Sequence, residues 1–576
     1  MRKIYFLLIG FSFFISLTVH SQTPNFEWSE SIGGSYIDEA NCIAVDNSNN
    51  IYVIGKFNNT LDFDPSLSIY NLNGYIYLSD IFIQKLDSNR NLLWAKRIGS
   101  IYNDAAESIT IDNNDNIYIT GFFHDTVDFD PGPNVFNLNT THGGDEHPES
   151  FVLKLNSNGD FIWATHNANV SSSTSLNRGK NIQYDQLGYI YVAGELTGGA
   201  DFNTGSSSLT LISNGDYDNY IQKLDTNGNF IWAKSYGGSS WNYIDDIDVD
   251  SYGNIYSIGV FKDSTDFDPG AGVYIIPNNY NSHLFIQKLD INGEFIWAKS
   301  YSDNTFNSQG YEGSIVLDQF DNIYIAGSYW GAIDFDPGPG VFNMTAQGIN
   351  MDLFIVKFNP SGDFIWAKTV AGNKFIKCYS MSIDDSSSIY LTGSFSQTSD
   401  FDTGINTYNL TSTGVLDTYI LKLDSSGDFM WVKQLACSNR SQGNSITVYN
   451  SSDVYVTGIY RDTISLNPSL SPNISSGYED FFAVKYNQEN FSTSVKEHTK
   501  LNLNVYPNPT LDLIHIERVE TTSLKIELLD YTGKNITAFT SNKQKISINL
   551  SKYPKGIYFI KITDSKTSII KKVIKI

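Results

Sequence analysis

The chain has 576 residues, 62 acidic against 38 basic side chains, and a formal net charge of −24 at pH 7. Its length favours more than one domain, and the acidic surplus argues against binding to nucleic acid or anionic lipid. Three cysteines far apart, with no C-x-x-C pair, exclude a disulfide framework. We predict that they are buried thiols.

Residues 1–21 are predicted to be a signal peptide. Arg2 and Lys3 precede an apolar run over residues 4–19, and Val19-His20-Ser21 has the small-residue character of a cleavage site. No later run approaches the ~18 apolar residues of a membrane span, so no transmembrane segment is expected in the mature chain. The mature protein is expected to begin near Gln22 and to lie outside the cytoplasm.

A repeat of 65 to 69 residues dominates the rest of the chain. It is marked by three phrases, such as "NIYITG", "FIQKLD" and "NGNFIWAK", that recur in the same order. The repeated tryptophans are Trp28, Trp94, Trp163, Trp232, Trp297, Trp366 and Trp431. The repeated lysines are Lys85, Lys154, Lys223, Lys288, Lys357, Lys422 and Lys485. Each phrase therefore occurs seven times, which is the signature of a repeat architecture.

Each repeat is predicted to form four short antiparallel strands. Its segments alternate in Ile, Val, Thr, Tyr and Phe and are separated by turns rich in Asn, Asp and Gly. The sequence therefore predicts an all-β, seven-bladed β-propeller over residues 22–486. Trp28 belongs to a lone fourth strand, and the last repeat lacks one. We therefore predict that residues 25–31 pair with residues 481–486 and close the last blade.

A motif of two aspartates around a phenylalanine follows the second strand of most repeats. Because side chains alternate along a strand, both acids lie on one side and the phenylalanine on the other. The copies are Asp62 and Asp64, Asp128 and Asp130, Asp266 and Asp268, Asp334 and Asp336, and Asp400 and Asp402, with Asp201 and Asn203 as a sixth. The seventh copy, at residues 465–468, has lost both acids.

Two interpretations of this motif remain open. The aspartates either cap the N–H groups of a corner that ends the strand, or they hold Ca²⁺ ions; no other cofactor is predicted. A catalytic carboxylate pair is disfavoured, because an active site is needed once and these copies recur in six repeats. A further acid precedes the third strand, with His283 as the exception, and would add a metal ligand or pair with a repeated lysine. Its copies are Asp80, Glu149, Asp218, Asp352, Asp417 and Asp480.

No catalytic constellation is found, and we expect no enzymatic activity. The phrase "HGGDEHP" at residues 142–148 holds the one cluster that breaks the repeat, with His142, Asp145, Glu146 and His147. It does not match H-E-x-x-H, and no helix is predicted to align its ligands.

The phrases "VDFDPG", "IFIQKLD" and "NGNFIWAK" resemble the β-propeller repeats of secreted Bacteroidota proteins, often labelled SBBP. The resemblance covers roughly residues 25–486. It implies a propeller and an extracellular location, and it implies no established enzymatic activity.

After a linker predicted at residues 487–502, residues 503–576 form a basic segment that alternates like a small β-sandwich. This segment resembles the type A C-terminal sorting domain of the Bacteroidota type IX secretion system. The matching residues are Pro507, Asn508, Pro509, Asp530, Gly533, Gly556, Tyr558, Lys571, Lys572 and Lys575. The resemblance implies contact with the type IX machinery, and delivery to the cell surface or to the medium.

We therefore predict an exported, surface-attached or released propeller that acts as a binding or adhesion scaffold. Its loops vary while its strands stay uniform, and a polysaccharide or a surface protein is the expected ligand class. The alternative is an extracellular propeller hydrolase or lyase that uses acidic rim residues, with or without Ca²⁺. A third interpretation, a structural surface-layer component, predicts self-association.

Overall fold

The computed structural model describes residues 23–144, 146–170, 175–204, 207–278, 282–301, 313–347, 351–467, 469–488, 503–518, 523–530, 534–563 and 568–575. The predicted signal peptide lies outside these ranges, as does the predicted linker apart from Asn487 and Gln488. The described residues contain strands and no helix, so this part of the chain is all-β, as predicted. It divides into two compact units between residues 489 and 490.

A four-stranded antiparallel sheet recurs seven times in the first unit, and a small hairpin follows the second strand of each. The chain opens with β1 (Asn25–Ile32). Sheet 1 holds β2 (Glu39–Val45), β3 (Ile51–Phe57), β6 (Asp80–Leu86) and β7 (Leu92–Ile98), with hairpin β4 (Thr60–Asp62) and β5 (Asn71–Asn73). Sheet 2 holds β8 (Ala105–Ile111), β9 (Ile117–Phe123), β12 (Glu149–Leu155) and β13 (Phe161–His166), with hairpin β10 (Thr126–Asp128) and β11 (Asn137–Asn139). Sheet 3, after the short β14 (Ala168–Asn169), holds β15 (Leu176–Tyr184), β16 (Tyr189–Thr197), β19 (Asp218–Asp225) and β20 (Phe230–Tyr236), with hairpin β17 (Gly199–Asp201) and β18 (Thr210–Ile212).

The remaining four sheets keep the same strand order. Sheet 4 holds β21 (Asn242–Val249), β22 (Ile255–Phe261), β25 (His283–Leu289) and β26 (Phe295–Tyr301), with hairpin β23 (Thr265–Asp266) and β24 (Ile275–Ile276). Sheet 5 holds β27 (Ser314–Leu317), β28 (Ile323–Tyr329), β31 (Asp352–Phe358) and β32 (Phe364–Gly372), with hairpin β29 (Ala332–Asp334) and β30 (Asn343–Thr345). Sheet 6 holds β33 (Ile376–Ile383), β34 (Ile389–Phe395), β37 (Asp417–Leu423) and β38 (Phe429–Cys437), with hairpin β35 (Thr398–Asp400) and β36 (Asn409–Thr411). Sheet 7 holds β39 (Arg440–Tyr449), β40 (Asp453–Arg461), β43 (Asp480–Asn487) and β1, with hairpin β41 (Thr463–Ser465) and β42 (Asn473–Ile474).

The N-terminal strand β1 supplies the fourth strand of sheet 7. It runs antiparallel to β43, with Asn25 opposite Asn487, Trp28 opposite Lys485 and Ile32 opposite Phe481. This is the pairing predicted from the sequence, and it covers an edge that β43 would otherwise expose.

A belt of hydrogen bonds joins the first strand of each sheet to the first strand of the next. Between sheets 1 and 2, Asn41 Nδ2 donates to the carbonyl of Ala106 at 2.9 Å. Between sheets 2 and 3, Ile182 N donates to Ser108 Oγ at 3.3 Å. Comparable bonds link the other sheets in turn and return from sheet 7 to sheet 1.

Apolar side chains fill the space between consecutive sheets. The largest of these clusters joins Ile54 and Ile83 of sheet 1 to Ile109 and Phe129 of sheet 2, and all four are buried. Seven such clusters lie between the seven sheets, including one that joins sheet 7 to sheet 1. Because each sheet buries both faces, its strands read as apolar runs. This arrangement is consistent with a β-propeller-like fold.

The second unit contains two antiparallel sheets. One holds β44 (Leu503–Tyr506), β45 (Leu513–Arg518) and β48 (Lys545–Asn549). The other holds β46 (Leu524–Asp530), β47 (Asn535–Ser541), β49 (Gly556–Thr563) and β50 (Ser568–Lys575). Ile514 and Ile548 of the first sheet share one buried cluster with Ile526 and Ile560 of the second. Buried apolar residues alternate with more exposed ones along strands such as β46 and β48, as the sequence pattern predicts.

Candidate functional site

The aspartates predicted after each second strand, which we call the corner aspartates, cap the backbone of their own loops. Asp62 Oδ1 accepts hydrogen bonds from the N–H groups of Asp64 at 3.0 Å and Tyr70 at 2.8 Å. The same pair of bonds recurs at Asp128, Asp201, Asp266, Asp334 and Asp400. The phenylalanine between the two acids is buried in all six copies. Backbone N–H groups thus compensate the charge of the first carboxylate in each copy.

Each corner lies where the first strand of the small hairpin ends, and this hairpin packs on the outer strand of its sheet. The aromatic residue at the hairpin's far end packs on the fourth strand: the ring centroids of Phe136 and Phe161 are 4.7 Å apart, and those of Tyr274 and Phe295 4.8 Å. In two places the hairpin also pairs with the end of the previous sheet's fourth strand, as Ala371 does with Asp400. These contacts shield sheet edges, so the geometry favours the structural interpretation of the motif.

Nothing in the described ranges gathers three or more His, Cys, Asp or Glu side chains into a group that could hold a metal ion. The calcium interpretation of the corner aspartates stays a prediction. The acids before the third strand are buried as well, and they cap loops instead of pairing with the repeated lysines. Asp352, for example, accepts hydrogen bonds from Gln347 N at 2.6 Å and Gly372 N at 3.0 Å, and Asp80 pairs with Arg97 at 2.8 Å.

Removing one corner carboxylate tests both interpretations. We expect Asp266→Ala to lower the free energy of unfolding by about 1–3 kcal/mol, because the N–H groups of Asp268 and Tyr274 lose their acceptor. Calorimetry in EDTA and in about 2 mM Ca²⁺ then separates the roles. A corner without metal predicts equal wild-type melting temperatures in the two buffers. A wild-type melting temperature that is higher in the Ca²⁺ buffer than in EDTA, with a smaller difference in Asp266→Ala, would establish the calcium interpretation instead.

The repeated lysines have a different partner, which sequence reasoning missed. Lys85 Nζ lies 3.3 Å from Asp46, at the start of the turn between the first and second strands, and 4.7 Å from the ring centroid of Tyr52. Tyr52 in turn donates to Asp46 at 3.3 Å. The lysine–tyrosine contact and the tyrosine–aspartate hydrogen bond recur in all seven sheets. A signal was available, because an aspartate stands six residues before the tyrosine in six repeats.

The lysine of this lysine–aspartate–tyrosine cluster also forms hydrogen bonds to the next sheet. Lys85 Nζ and Trp94 Nε1 both donate to the carbonyl of Ser157, at 2.9 and 3.3 Å. Ser157 lies in the turn between the third and fourth strands of sheet 2. Lys154 and Trp163 make the same pair of bonds to Thr226 of sheet 3. The repeated lysine and tryptophan are thus structural residues, and they leave no free chemistry for a ligand.

A central cavity of about 430 Å³ is lined by the first strands of all seven sheets. It adjoins a depression of about 310 Å³ that is lined by Glu39, Asn41, Glu107, Asp245, Gly313, Tyr379, Gln442 and Asn444. These residues stand at the beginnings of the first strands. Because the first and second strands are antiparallel, the start of the first strand and the end of the second lie at the same end of each sheet. The mouth therefore lies at the same strand ends as the corner aspartates. We call these eight residues the channel mouth.

Side chains at the channel mouth break the repeat. In six of the seven sheets, the pairing of the first and second strands shifts register at one residue of the first strand. These six residues are equivalent to one another, and sheet 5 has a residue at the same place in its repeat. In chain order these residues are Asn41, Glu107, Lys180, Asp245, Gly313, Tyr379 and Asn444, and all but Lys180, which lines the central cavity, belong to the channel mouth. The fold needs only an extra residue at such a shift, so it does not dictate these different side chains.

Charged groups of both signs meet on one side of the mouth. Burial lowers the pKa of Lys180, but the carboxylates of Glu107, Glu195 and Asp245 outweigh it and hold that pKa above its ordinary value. Burial raises the pKa of the Glu195 carboxyl, against the opposing effect of Lys180 and Arg178. Such a wall offers hydrogen-bond donors, acceptors and charge to a polar ligand.

The polar loop of sheet 2 holds less chemistry than its sequence suggests. The rings of His142 and His147 lie 5.9 Å apart between centroids, and His147 Nδ1 is 3.3 Å from the carbonyl oxygen of Ser175. Glu146 is exposed, and Asp145 lies outside the described residues.

The predicted sorting residues gather along the last strand, β50. Asn508 donates to the carbonyl of Lys572 at 2.9 Å and accepts from Ile574 N at 2.8 Å. Gly556 and Tyr558, on β49, pair with Lys575 and Val573 of β50. Three motifs far apart in the sequence therefore meet at one strand, flanked by the exposed Pro507 and Pro509.

These residues divide into structural and exposed ones. The Lys575 ammonium is buried and donates to the carbonyls of Leu550 and Tyr553, both at 2.7 Å. Asp530 accepts a turn hydrogen bond from Lys534 N at 3.0 Å, whereas Lys571 and Lys572 are exposed. Gly533 lies outside the described residues.

The comparisons with known proteins agree with the tail's predicted role. Residues 504–576 match a family described as a secretion system C-terminal sorting domain. In an alignment of 511 positions that covers 75% of this chain, the sequence is 23% identical to a protein of Acanthamoeba polyphaga mimivirus named "Uncharacterized WD repeat-containing protein L264". The chain covers 36% of that protein, so it spans about a third of the length of the curated relative it matches.

Two solved structures show distant similarity. One is PorZ of Porphyromonas gingivalis, described as an essential surface component of the type IX secretion system, at 9% identity, 95% and 100% coverage of the two chains, and a TM-score of 0.24. The other, a Dyadobacter fermentans protein of unknown function, has 10% identity, 66% and 93% coverage, and a TM-score of 0.33. At these TM-scores neither likeness establishes a common fold.

The chain is therefore an all-β protein that carries a type IX sorting domain at its C-terminus. This domain implies delivery out of the cell or to its surface, and an interaction with the type IX machinery. In the part of the chain that the structure describes, no helix is long and apolar enough to cross a membrane.

Proposed function

We propose that the chain is an exported seven-bladed β-propeller of the SBBP type with a small C-terminal β-sandwich. The seven four-stranded sheets, the belt of hydrogen bonds that returns to sheet 1 and the apolar clusters between all neighbours support this proposal. The similarity to a protein named for WD repeats also supports it, since WD repeats form propeller blades.

The proposed activity is binding at the channel mouth, without a catalytic step. The observation that carries it is the loss of the repeat at this place: strands, corner aspartates and lysine clusters recur from sheet to sheet, while the mouth presents different polar side chains. A surface at which a repeating scaffold loses its repeat is a candidate for recognition. Attachment by the sorting domain would then present this mouth outside the cell.

A polysaccharide is the ligand class that this mouth fits best. Asn41 and Asn444 donate to the belt between sheets, and Gln442 donates to Asn444. The carboxylates Glu39 and Glu107 are therefore the main acceptors that the mouth offers to the hydroxyl groups of a sugar chain. Tyr379 adds one aromatic face. Tight burial of a large apolar ligand is disfavoured, because polar atoms dominate this lining.

Binding can be tested by affinity electrophoresis of the chain in gels that contain soluble polysaccharides. We expect at least one polysaccharide to retard the wild-type chain, and the double variant Glu107→Gln/Tyr379→Ala to weaken that retardation about tenfold, since both side chains line the mouth. Glu294→Gln is the matched control. Glu294 lies in the turn between the third and fourth strands of sheet 4, at the ends of the strands opposite to the mouth. Equal retardation of the mouth variant and the control would refute binding at this mouth.

A further inference from the structure

One charged contact crosses several boundaries between sheets in the same direction. A lysine on the fourth strand of one sheet reaches the turn between the third and fourth strands of the next sheet. Lys234 Nζ lies 3.2 Å from Glu294, Lys368 Nζ lies 2.8 Å from Asp428, and Lys299 Nζ donates to the carbonyl of Gly362. The receiving turn carries a glycine with positive φ followed by a polar residue that is acidic in four of five cases. The glycines are Gly159, Gly228, Gly293, Gly362 and Gly427.

The boundary between sheets 7 and 1, where β1 closes the last sheet, reverses this pattern. Glu30 of β1 takes the place of the lysine, two residues after the repeated tryptophan. In the turn of sheet 1, Arg90 takes the place of the glycine at φ +70°, and Asn91 takes the place of the acid. The Arg90 guanidinium reaches β1 and donates to the carbonyl of Ser29. An arginine with positive φ is strained, and this is the one of the six turns that accepts the strain.

The reversal makes the two kinds of strand unsuited to each other's places. Glu30 is only 3% exposed, and the Arg90 guanidinium donates to the carbonyl of the preceding residue, so a lysine in place of Glu30 would bury a second cation close to Arg90. Conversely, a strand with glutamate at this position would meet Glu294 or Asp428 at an ordinary boundary. Backbone pairing and the tryptophan are common to all seven fourth strands, and so they cannot discriminate among them.

We propose that Glu30 and Arg90 form a selectivity pair that admits the N-terminal strand to the closing position and rejects fourth strands that carry lysine. Closure of sheet 7 is the one fourth-strand pairing that joins distant parts of the chain, so β43 can also meet a fourth strand from a second copy. The cationic Arg90 at this boundary disfavours such wrong pairing with a strand that carries lysine, which would produce linked copies instead of a closed monomer. The partner that this position accepts is a strand with an acidic or neutral side chain at the place of Glu30.

The test compares three side chains at position 30 in two turn backgrounds of the full chain. The backgrounds are the natural turn and the variant Arg90→Gly/Asn91→Asp, which restores the repeat's own turn. With the natural turn, we expect Glu30→Lys to raise the hydrogen-exchange rate of residues 25–32 at least about tenfold and to yield oligomers in light scattering. With the restored turn the order reverses, so that Glu30→Lys exchanges more slowly than the natural Glu30.

Glu30→Gln keeps the test decisive if Glu30→Lys does not fold in the natural turn. The neutral side chain should then protect β1 less than lysine, and more than glutamate, in the restored turn. The control variant is Lys368→Glu against Asp428, on a strand held by covalent connections at both ends. We expect it to give no oligomers. The same order of protection for Glu, Gln and Lys in both turn backgrounds would overturn the proposal and leave chain connectivity as the sole determinant of closure.

Discussion

Asp46→Asn is expected to lower the free energy of unfolding by about 3–5 kcal/mol, the largest effect of any single change in the repeated lysine clusters. The variant keeps an oxygen that can accept the turn hydrogen bonds from Ser48 and Asn50, and it removes the charge opposite Lys85. Lys85 and Asp46 are both nearly inaccessible to solvent, so the ammonium would stay buried without a counter-charge. Urea unfolding monitored by tryptophan fluorescence measures the loss.

The double variant Asp46→Asn/Lys85→Met separates the charge from the packing. Because removal of both partners leaves no buried unpaired ion, we expect it to regain most of the lost stability. Asp62→Asn, an exposed corner residue that keeps its acceptor oxygen, is the control and should change the unfolding free energy by less than about 0.5 kcal/mol. Equal losses in the single and double variants would show that the ion pair does not carry the stability.

Raising the pH from 5 to 8.5 is expected to destabilise the first unit. Burial raises the pKa of Glu30 to about 8, although Arg90 opposes it, and burial raises the pKa values of Asp38, Asp104 and Asp248 to about 7. The unfolded chain releases these protons first, near pH 4. The free energy of unfolding therefore falls as the pH rises toward and through the folded pKa values. Each group contributes a loss of about 1.4 kcal/mol per unit by which its folded pKa exceeds its unfolded pKa.

Calorimetry across this pH range checks the sign. We expect a melting temperature that is highest near pH 5 and falls by at least about 5 °C by pH 8.5. Below pH 4 stability declines too, because hydrogen bonds from Lys485, Asn49 and Asn487 hold the pKa of Asp453 below its ordinary value despite burial. Glu30→Gln should flatten the profile above pH 7. A melting temperature that stays level or rises between pH 5 and 8.5 would contradict the assignment.

The charge of the tail has a separate structural account. The sequence pattern marks Lys571, Lys572 and Lys575 alike, but only the first two are available on the surface, and Lys575 caps carbonyl groups inside the domain. A basic cluster near a chain end therefore contains two different roles. Spacing in the sequence does not separate them, because alternation places Lys571 on the same side of the strand as the buried Lys575, although Lys571 is exposed.

The sequence by itself determined what depends on neighbouring residues or on repetition. Alternating apolar residues fix the strands, the Asn-, Asp- and Gly-rich segments fix the turns, and the buried phenylalanine between Asp62 and Asp64 fixes the corner. The surplus strand at Trp28 and the missing one after Lys485 also determined the pairing of β1 with β43, since an unpaired edge demands a partner. The sorting motif was readable for the same reason, because it is a local pattern.

Only the tertiary structure decided which side chains meet between sheets. The sequence offered Asp80 as the partner of Lys85, whereas the structure places Asp46 there, because Asp46 lies at the same end of the strands as Lys85 and Asp80 lies at the other end. Lys180, Glu107 and Asp245 meet because three first strands from different repeats converge on one channel. The contacts around Lys180 join residues from different repeats, and their geometry follows from how whole sheets pack. No local propensity carries that information.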